Sequence, residues 1–349
     1  MAAQEGPIRI RAEQAEQFAR GLLEGAGVEA ATARTVASAL IEAELEGNAS
    51  HGLLQLPAYV RRILAGTLSR TDEVTCVHRS GAVSVFDVGL TLGHAAAQQL
   101  SETVVTNARE HGVAVVAARS ATHFGVAGRY AGMIAEAGMI GIIMCNTRPM
   151  MPAPGGREAV VGNNPLAIGI PCAGQPPVIF DMAMSAVAMG RVRQAAQRGE
   201  TLERGWAVDV TGQETTDPHE AIAGMLLPAG GPKGFGLALV VDLLCALSGG
   251  SAGAEIGSMY GAPETKADCA WLLMALDPAR FGLAVPYAER VAALAGNVRR
   301  AAPDPALALP GDRRRAAKAR AGDSIAVAAK VAQELDALSR QLGGRVLSQ

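Results

Sequence analysis

Residues 93–117 read GHAAAQQLSETVVTNAREHGVAVVA and predict a helix followed directly by a buried strand. The helix would run from Gly93 to His111 and end at Gly112, because glycine commonly closes helices. Residues 113–117 are short, apolar and rich in valine, which is typical of a strand buried in a sheet. A helix joined to a buried strand in this way indicates the α/β class.

The same alternation extends to both sides of this segment. Apolar residues at helical spacing predict helices over 11–27, 29–46 and 56–65, before β-like runs at 74–77 and 83–86. Further strands are expected at 140–145, 167–170, 178–180 and 271–276, with a glycine- and proline-rich loop over 147–165. Further helices are expected at 128–137, 186–197, 234–247, 286–300, 311–320 and 330–342, and at Asp217-Pro218, where an N-cap precedes proline. The mixed spacing does not require a purely parallel sheet.

Length and composition limit the classes of function. The 349 residues suffice for two domains, and a hydrophobic content of 49% excludes a largely disordered chain. With 31 basic and 33 acidic residues the net charge is −2, so no basic field is present to attract a nucleic acid. The longest apolar stretch, 235–247, is shorter than the about 20 residues that a bilayer crossing needs. Neither nucleic acid nor membrane is expected as a partner.

Cysteine and histidine usage bears on compartment and metal binding. The five cysteines are dispersed, with no C-x-x-C pair, which favours reduced thiols in a cytoplasmic protein. Met1 to Glu5 carry no basic or apolar signal region, so secretion is not expected. The six histidines form no H-E-x-x-H motif or close cluster with carboxylates, and we therefore expect no metal site.

The usual phosphate-binding loops are missing. No G-x-G-x-x-G is present, and Lys233 is followed by Gly234 rather than by the hydroxyl residue of a P-loop. Gly230-Gly231-Pro232-Lys233-Gly234 does precede an apolar helix, whose first N–H groups and dipole would suit an anion such as a dinucleotide phosphate. A tight turn with a solvated lysine explains the same residues.

Two histidines are candidates for proton transfer. His51 lies between Ser50 and Gly52 where a helix gives way to a loop, and imidazole exchanges protons near neutrality. His123 follows the buried strand 113–117, and ligands of α/β proteins gather beyond the carboxyl ends of strands. Each histidine, taken alone, also fits a structural role.

Polar residues at strand ends add further candidates. Asp181 ends the strand at 178–180 and could hold a histidine in one tautomer, or cap the next helix. The amides of Asn163 and Asn164 could bind a polar ligand, although a plain turn explains them as well. Asp242, within its apolar helix, fits a partnered buried charge.

Several motifs in fixed order identify a family. They are Ser50-His51-Gly52 with Tyr59, Thr122-His123-Phe124-Gly125, Asn146, Gly162-Asn163-Asn164-Pro165, Asp181-Met182-Ala183-Met184-Ser185, Gly230-Gly231-Pro232-Lys233-Gly234 and Pro310-Gly311-Asp312-Arg313. The chain resembles, over residues 10–345, the type 2 malate/L-lactate dehydrogenase family. That family includes sulfolactate, ureidoglycolate and diketogulonate oxidoreductases and the Δ1-piperideine-2-carboxylate reductases.

The resemblance implies a fold, a cofactor and partners. The fold would be α/β and non-Rossmann, like that of L-sulfolactate dehydrogenase, with a mixed sheet in an NAD(P)-binding domain at 121–299. Residues 1–120 plus 300–349 would form a helical N/C-terminal domain for substrate binding and dimerisation. The cofactor would be NAD or NADP, the substrate a small-molecule carboxylate, and the assembly a homodimer.

The resemblance also implies site residues. His51 would be the proton donor and acceptor, His123 has that role in some members, and Asp181 is a candidate partner. Ser50, Gln55 and Asn164 would bind substrate. Cofactor contacts would fall on His123, Asn146, Asp181, Met182, Ala183, Ser185, Pro232, Lys233, Gly311, Asp312 and Arg313.

The sequence departs from the family at the substrate site. The arginine that commonly follows the first histidine by four residues, and can grip a carboxylate in bidentate fashion, is here Gln55. Either the substrate differs from a simple 2-oxo acid, or Arg61, Arg62 or Arg129 substitutes. Asn163 stands where threonine is usual. The 2′-phosphate of NADP would need a cation, for which Arg191, Arg193, Arg313 and Arg314 are candidates.

The expected function is hydride transfer between nicotinamide and a 2-hydroxy or 2-oxo acid. Reduction of a cyclic imine, a piperideine or pyrroline carboxylate, is the alternative within the same enzyme class. A catalytically silent nucleotide-binding or scaffold protein is the alternative of another class, which oxidation of NAD(P)H by any 2-oxo acid would exclude.

Overall fold

The computed structural model describes residues 6–347, apart from the side chain of Gln197. Its strands are β1 Ile8–Arg11, β2 Thr75–Ser80, β3 Val83–Asp87, β4 Val113–Ala121, β5 Ile140–Cys145, β6 Met151–Pro152, β7 Ala159–Val161, β8 Leu166–Ile170, β9 Val178–Met182, β10 Ala207–Val208, β11 Glu214–Thr215, β12 Met225–Leu226, β13 Cys269–Leu276 and β14 Ser324–Val327. Its α-helices are α1 Ala12–Gly25, α2 Ala30–Leu45, α3 Leu56–Leu64, α4 Gly93–His111, α5 Ala127–Glu136, α6 Met189–Arg198, α7 Pro218–Ala223, α8 Pro232–Cys245, α9 Tyr287–Ala301, α10 Asp312–Ala321 and α11 Ala329–Gln341.

A mixed seven-stranded sheet, in the order β2-β3-β4-β13-β5-β8-β9, forms the centre of the molecule. β3 and β4 run parallel, with Val83 opposite Val115. The remaining neighbours are antiparallel, and β13 lies between β4 and β5 with Leu273 opposite both Val116 and Ile143. The prediction of an α/β fold with a mixed sheet is confirmed.

Helices cover both faces of this sheet, because side chains alternate between the faces of a strand. Trp271 and Leu273 of β13 pack into the core formed with α4 and α5. Ala270 and Leu272 point to the other face and pack with the buried side of α8, including Val241. The near-continuous apolar run of β13 follows from burial on both faces.

A helical layer joins the two ends of the chain. β1 pairs with β14 in antiparallel fashion, Ile10 opposite Ile325. α1, α2, α3 and α11 share a core with these strands, to which Leu23, Leu40 and Leu335 contribute. The N- and C-terminal segments therefore pack on one another.

The expected division at residue 120 does not follow the sheet. β2 and β3 precede that position and β4 runs through it, yet all three lie in the same sheet as strands of 140–182 and 269–276. The reason is that β4 pairs along its whole length with β13. The assignment of cofactor and substrate to separate domains remains a prediction.

Most predicted elements lie within a few residues of the observed ones. The predicted helix N-cap at Asp217 is present, because its carboxylate accepts a hydrogen bond from the His219 amide. The helix predicted from 186 begins only at Met189, because Ala186 donates instead to the Leu227 carbonyl at 2.8 Å. The expected loop over 147–165 contains the β6–β7 hairpin. The short sheets β1–β14 and β11-β10-β12 were not predicted.

Two expectations concern the chain as a whole. Met1 to Glu5, on which the expected lack of a secretion signal rests, lie outside the described residues. Among the helices of residues 6–347, none combines the length and apolar character that a membrane crossing requires.

Candidate functional site

His51 lies in a single 3-10 turn, Ala49–His51, that follows α2. The Ser50 hydroxyl oxygen is 2.9 Å from His51 Nδ1. The carboxylate of Glu44, in the last turn of α2, accepts a 2.8 Å hydrogen bond from the Leu53 amide and so connects the 3-10 turn to the helix. A Cβ at position 52 would collide with the Glu44 side chain, so any larger residue there would displace this carboxylate.

His123 follows β4 and meets Tyr59, which projects from α3. The Tyr59 hydroxyl oxygen lies 2.6 Å from His123 Nδ1. Tyr59 is 1% exposed. Burial raises its pKa well above the usual value, so the hydroxyl keeps its proton at neutral pH. A hydroxyl that donates to Nδ1 leaves the ring hydrogen of His123 on Nε2.

The two histidine rings are stacked, with centroids 5.5 Å apart and planes inclined by 26°. Burial lowers the pKa of His51, and the positive charge of Arg314 lowers it further. Burial also places the pKa of His123 well below its usual value. Both rings are therefore neutral at pH 7, and in residues 6–347 no protein group hydrogen-bonds to either Nε2.

His94, from the first turn of α4, packs behind this pair. Its ring centroid is 5.6 Å from that of Tyr59 and 6.4 Å from that of His123. Burial lowers the pKa of His94 to about 3, and its ring nitrogens have no partner in the described structure. His94 therefore acts as a neutral aromatic wall that holds Tyr59 and His123 in place.

Asp181 does not contact either histidine, contrary to the expectation that it would orient one. Its Oδ2 accepts a 2.8 Å hydrogen bond from the Gly128 amide at the start of α5. Arg314 Nη1 lies 3.4 Å from the same oxygen and 3.7 Å from Glu46. Burial raises the pKa of Asp181, while Arg314 and the amide oppose that rise. Its influence on His51 is indirect, because Arg314 also acts on that ring.

Gln55 is not free to bind an acid, contrary to its expected role. Its side chain is 2% exposed, its Nε2 donates to the Ser50 carbonyl, and its Oε1 accepts a 2.8 Å hydrogen bond from the Tyr260 hydroxyl. A neutral amide occupied at both ends positions the His51 turn and Tyr260.

The three arginines considered as substitutes for residue 55 are also occupied. Arg61 pairs with Glu334, and Arg129 pairs with Glu42. Arg62 is 1% exposed and donates to backbone carbonyls of the 258–265 loop. None of the three presents a free guanidinium group to the histidines.

The predicted ligands Asn146 and Asn164 both make hydrogen bonds within the protein. Asn146 Nδ2 donates to Asp242 at 3.0 Å, which gives that buried carboxylate the partner expected of it. Asn164 is fully buried, donates to the Ala238 carbonyl at 2.8 Å and accepts from the Thr147 amide at 2.8 Å. Both amides fasten α8 to the loop that follows β5.

The segments predicted to bind cofactor meet beside β9. An isolated bridge between Ser185 and Pro228 sets residues 181–185 against the glycine turn that begins α8. The Ile179 amide donates to the Pro310 carbonyl at 3.2 Å, which brings the start of α10 to the same strand. The sequence order alone could not show this proximity.

The charged residues predicted to contact the cofactor differ in their exposure to solvent. Lys233 and Arg313 are exposed, and no carboxylate within the described residues pairs with either. Asp312 is instead turned inward, where Arg299 and Arg315 hold it at 2.9 and 2.6 Å, so its side chain cannot contact a cofactor. The side-chain hydroxyl of Ser185 is likewise buried.

The other arginines considered for a 2′-phosphate have partners. Arg191 lies over Trp206, Arg193 lies over Tyr260, and Arg314 lies between two carboxylates. Arg313 is thus the one of the four that lacks a partner in residues 6–347.

Sequence reasoning missed Glu44, His94 and Tyr260 as contributors to this site, and it considered Arg314 only as a cation for the 2′-phosphate of NADP. For Glu44 the sequence held a weak indication. A carboxylate on the buried side of the helix before the Ser-His-Gly turn needs a hydrogen-bond partner. The contacts of Tyr260 and Arg314 join residues more than a hundred positions apart, as in the Arg314–Asp181 pair with a separation of 133. No local pattern encodes such a contact.

Comparison with known proteins finds similarity to one family along most of the chain. A family model described as malate/L-lactate dehydrogenase matches residues 10–336. A (2R)-3-sulfolactate dehydrogenase (NADP(+)) from Chromohalobacter salexigens is 36% identical over 94% of this chain and 97% of that protein. The solved sulfolactate dehydrogenase from Methanocaldococcus jannaschii superposes with a TM-score of 0.90, at 30% identity over 97% of this chain and 98% of that one. A Δ1-piperideine-2-carboxylate reductase from Pseudomonas syringae pathovar tomato superposes with a TM-score of 0.86, at 28% identity over 95% and 99%.

Glu44 predicts how stability varies with pH. Burial raises its pKa from 4.5 to about 7, so between these values the folded chain binds more protons than the unfolded chain. Stability therefore falls as pH rises through this window. Glu44→Gln keeps the acceptor for Leu53 without the charge. We expect it to unfold like the wild type at pH 5 and to be more stable by on the order of 2 kcal/mol at pH 8.

Thermal unfolding of both proteins across pH 5 to 8 measures this difference. Glu102→Gln, on the exposed side of α4, is the control and should not change the pH dependence. A constant offset between Glu44→Gln and wild type at every pH would contradict the assignment.

Proposed function

The chain belongs to the malate/L-lactate dehydrogenase family, and we propose that it transfers a hydride between NAD or NADP and a 2-hydroxy or 2-oxo acid. It is an NAD(P)-dependent oxidoreductase. The observation that carries the proposal is the stacked pair His51 and His123, each with Nδ1 against a hydroxyl and Nε2 without a protein partner in the described residues.

His51 is the proton carrier in this proposal. Because it is neutral at pH 7, its Nε2 can accept the hydroxyl proton of a 2-hydroxy acid as carbon 2 loses its hydride. In the reverse direction protonated His51 returns that proton to the developing alkoxide. An anionic substrate beside the His51 ring favours its protonated form and so raises the pKa that burial lowers. Proton transfer of this kind contributes about 10²–10⁴-fold to the rate.

His123 orients the substrate. The hydrogen bond from Tyr59 fixes the ring hydrogen on Nε2, from which it can donate to the substrate oxygen. Burial lowers the pKa of His123 well below the usual value, which disfavours the protonated ring that a proton carrier needs. The division of roles therefore assigns proton transfer to His51 and polarisation to His123.

The residues beside β9 fit a nicotinamide dinucleotide. Exposed Lys233 stands at the N-terminus of α8, a helix of 14 residues, where backbone amides and the helix dipole favour a phosphate. Arg313, at the start of α10, adds a second cation without a carboxylate partner in residues 6–347, on a helix that begins next to β9. When bound, the nicotinamide supplies the site that accepts or donates the hydride.

Reduction of a cyclic imine is the second candidate. It is favoured by the structural similarity to the piperideine-2-carboxylate reductase and by a neutral residue at position 55. Proton delivery by His51 to an amine nitrogen would use the same geometry. Parallel assays with pyruvate, oxaloacetate and Δ1-piperideine-2-carboxylate separate the two functions.

The proposal includes a homodimer in the cytoplasm. α8 and the turn after it expose Leu237, Leu243 and Leu247 by 49%, 63% and 65%, an apolar face that a second copy of the chain would cover. This face lies on the sheet unit rather than on the N/C-terminal segments from which dimerisation was expected. The five cysteines are free, which fits a reducing compartment.

Leu243→Glu places a charge in the centre of this apolar face. We expect the wild type to sediment as a dimer at micromolar concentration and the variant to dissociate towards monomer. Leu64→Glu, exposed on α3 of the helical layer, is the matched control and should remain dimeric. A monomeric wild type, or dissociation by Leu64→Glu alone, would exclude an α8 interface.

The histidine roles predict distinct kinetic effects. His51→Asn should lower kcat for oxaloacetate reduction by about 10²–10⁴-fold without weakening NAD(P)H binding, because the proton carrier is lost. His123→Gln and Tyr59→Phe should affect KM as well as kcat, because both orient the substrate. His219→Ala, exposed on α7, is the control.

Initial rates from NAD(P)H absorbance and cofactor binding from fluorescence supply these quantities. Near-native turnover of both His51→Asn and His123→Gln would contradict the mechanism. A wild type that turns over no 2-oxo acid and no imine would contradict the function itself.

A further inference from the structure

A series of contacts leads from His51 to Arg193, which has no carboxylate partner in residues 6–347. Ser50 contacts His51, Gln55 donates to the Ser50 carbonyl, and the Tyr260 hydroxyl donates to Gln55. The guanidinium carbon of Arg193 lies 5.1 Å from the centroid of the Tyr260 ring. Residue 55 itself is neutral, so Arg193 is the positive charge to which this series of contacts leads.

Buried Arg62 fixes the position of Tyr260. Its guanidinium group donates to the carbonyls of Ser258 at 2.7 Å and Met259 at 2.9 Å, directly before Tyr260. It also donates to the carbonyl of Thr265 at the other end of the loop. The backbone before Tyr260 is therefore held in place, and the half-exposed Tyr260 ring offers a face on which a guanidinium group can stack.

The start of α6 lies against the catalytic turn. A Cβ at Gly190 would be 3.0 Å from the Ser50 Cβ, so the first turn of the helix contacts the residue before His51. Arg193 is one turn further along the same helix. Its half-buried guanidinium has no carboxylate partner in the described part of the chain.

Arg148 adds a second cation from another element. It follows β5, is half-buried, and forms no ion pair within residues 6–347. Arg148 and Arg193 both act on the Tyr260 hydroxyl, lowering a pKa that burial raises. Two guanidinium groups without a carboxylate partner in residues 6–347 thus lie near the Tyr260 hydroxyl, which donates to Gln55.

We propose that Arg193, supported by Arg148, binds the second acidic group of a dianionic 2-oxo or 2-hydroxy acid at Tyr260. The assignment rests on the proposed function and specifies its substrate class. A carboxylate or sulfonate on the carbon next to the reacting centre would compensate both unpaired guanidinium charges, which a monocarboxylic acid cannot do. Gln55 then acts as a positioning residue that aligns Tyr260 with the His51 turn.

The proposal predicts a loss confined to dianionic ligands. Arg193→Met should raise KM for oxaloacetate at least 10-fold, leave kcat within 3-fold, and change KM for pyruvate less than 3-fold. Arg193→Lys, which keeps the charge, should recover much of the lost affinity. Arg148→Met should have a smaller effect of the same kind.

Arg191→Met is the matched control. It removes the same charge from the same helix, but Arg191 stacks on Trp206 near Glu203 rather than on Tyr260, so oxaloacetate KM should not change. Calorimetric binding of succinate and butyrate to the protein–NADPH complex gives a readout without turnover. Arg193→Met should weaken succinate binding at least 10-fold and leave butyrate binding unchanged.

The possible results distinguish a failure of the Arg193 subsite from a failure of the proposed dehydrogenase function. Unchanged succinate affinity in Arg193→Met, with an active wild type, overturns the subsite alone. Weakened NADPH binding in Arg193→Met, with oxaloacetate KM unchanged, assigns the arginine to the cofactor and overturns it as well. A wild type inactive on every 2-oxo acid overturns the proposed function, whatever the succinate measurement shows.

Discussion

The hydrogen bond between the Tyr59 hydroxyl and His123 Nδ1 joins the two layers of the molecule at the site of chemistry. Tyr59 belongs to the core of the helical layer, whereas His123 follows a strand of the central sheet. In our account this contact between the layers sets the tautomer of His123. The packing of α3 against the sheet therefore determines whether His123 Nε2 donates or accepts a hydrogen bond. His94 supports the contact from behind through its ring.

Burial, rather than ion pairing, sets the charge state of this site. Desolvation is the largest cause of the lowered pKa values of His51, His94 and His123, and no carboxylate contacts their rings in the described residues. The neighbouring charge is Arg314, held by Asp181 and Glu46, and it favours neutral His51 as well. Neutral imidazoles suit the abstraction of a hydroxyl proton, and an anionic substrate supplies the charge that favours the reverse step.

Local patterns predicted the elements and the histidines, but not the partners of polar side chains. The helix at 93–111, the strand at 140–145 and the Asp217 cap follow from periodicity and capping within a few residues. Gln55 was expected to bind substrate, but its side chain contacts Tyr260, which lies 205 positions away in the sequence. Arg62 donates to the Met259 carbonyl, 197 positions away, and is therefore not available to a substrate. Residue spacing in the sequence does not reveal such a contact. The domain division expected at residue 120 stays a prediction, although β4, which contains that position, pairs with β13.

The neutrality of the stacked histidines can be measured directly by NMR titration of the protein carrying ¹⁵N-labelled histidine rings. His51→Asn and His123→Gln spectra assign the two signals. Our account predicts that both rings titrate below pH 6.5 and that His123 at pH 7 carries its hydrogen on Nε2. Titration of either ring at or above pH 6.5, or a His123 hydrogen on Nδ1, would contradict it.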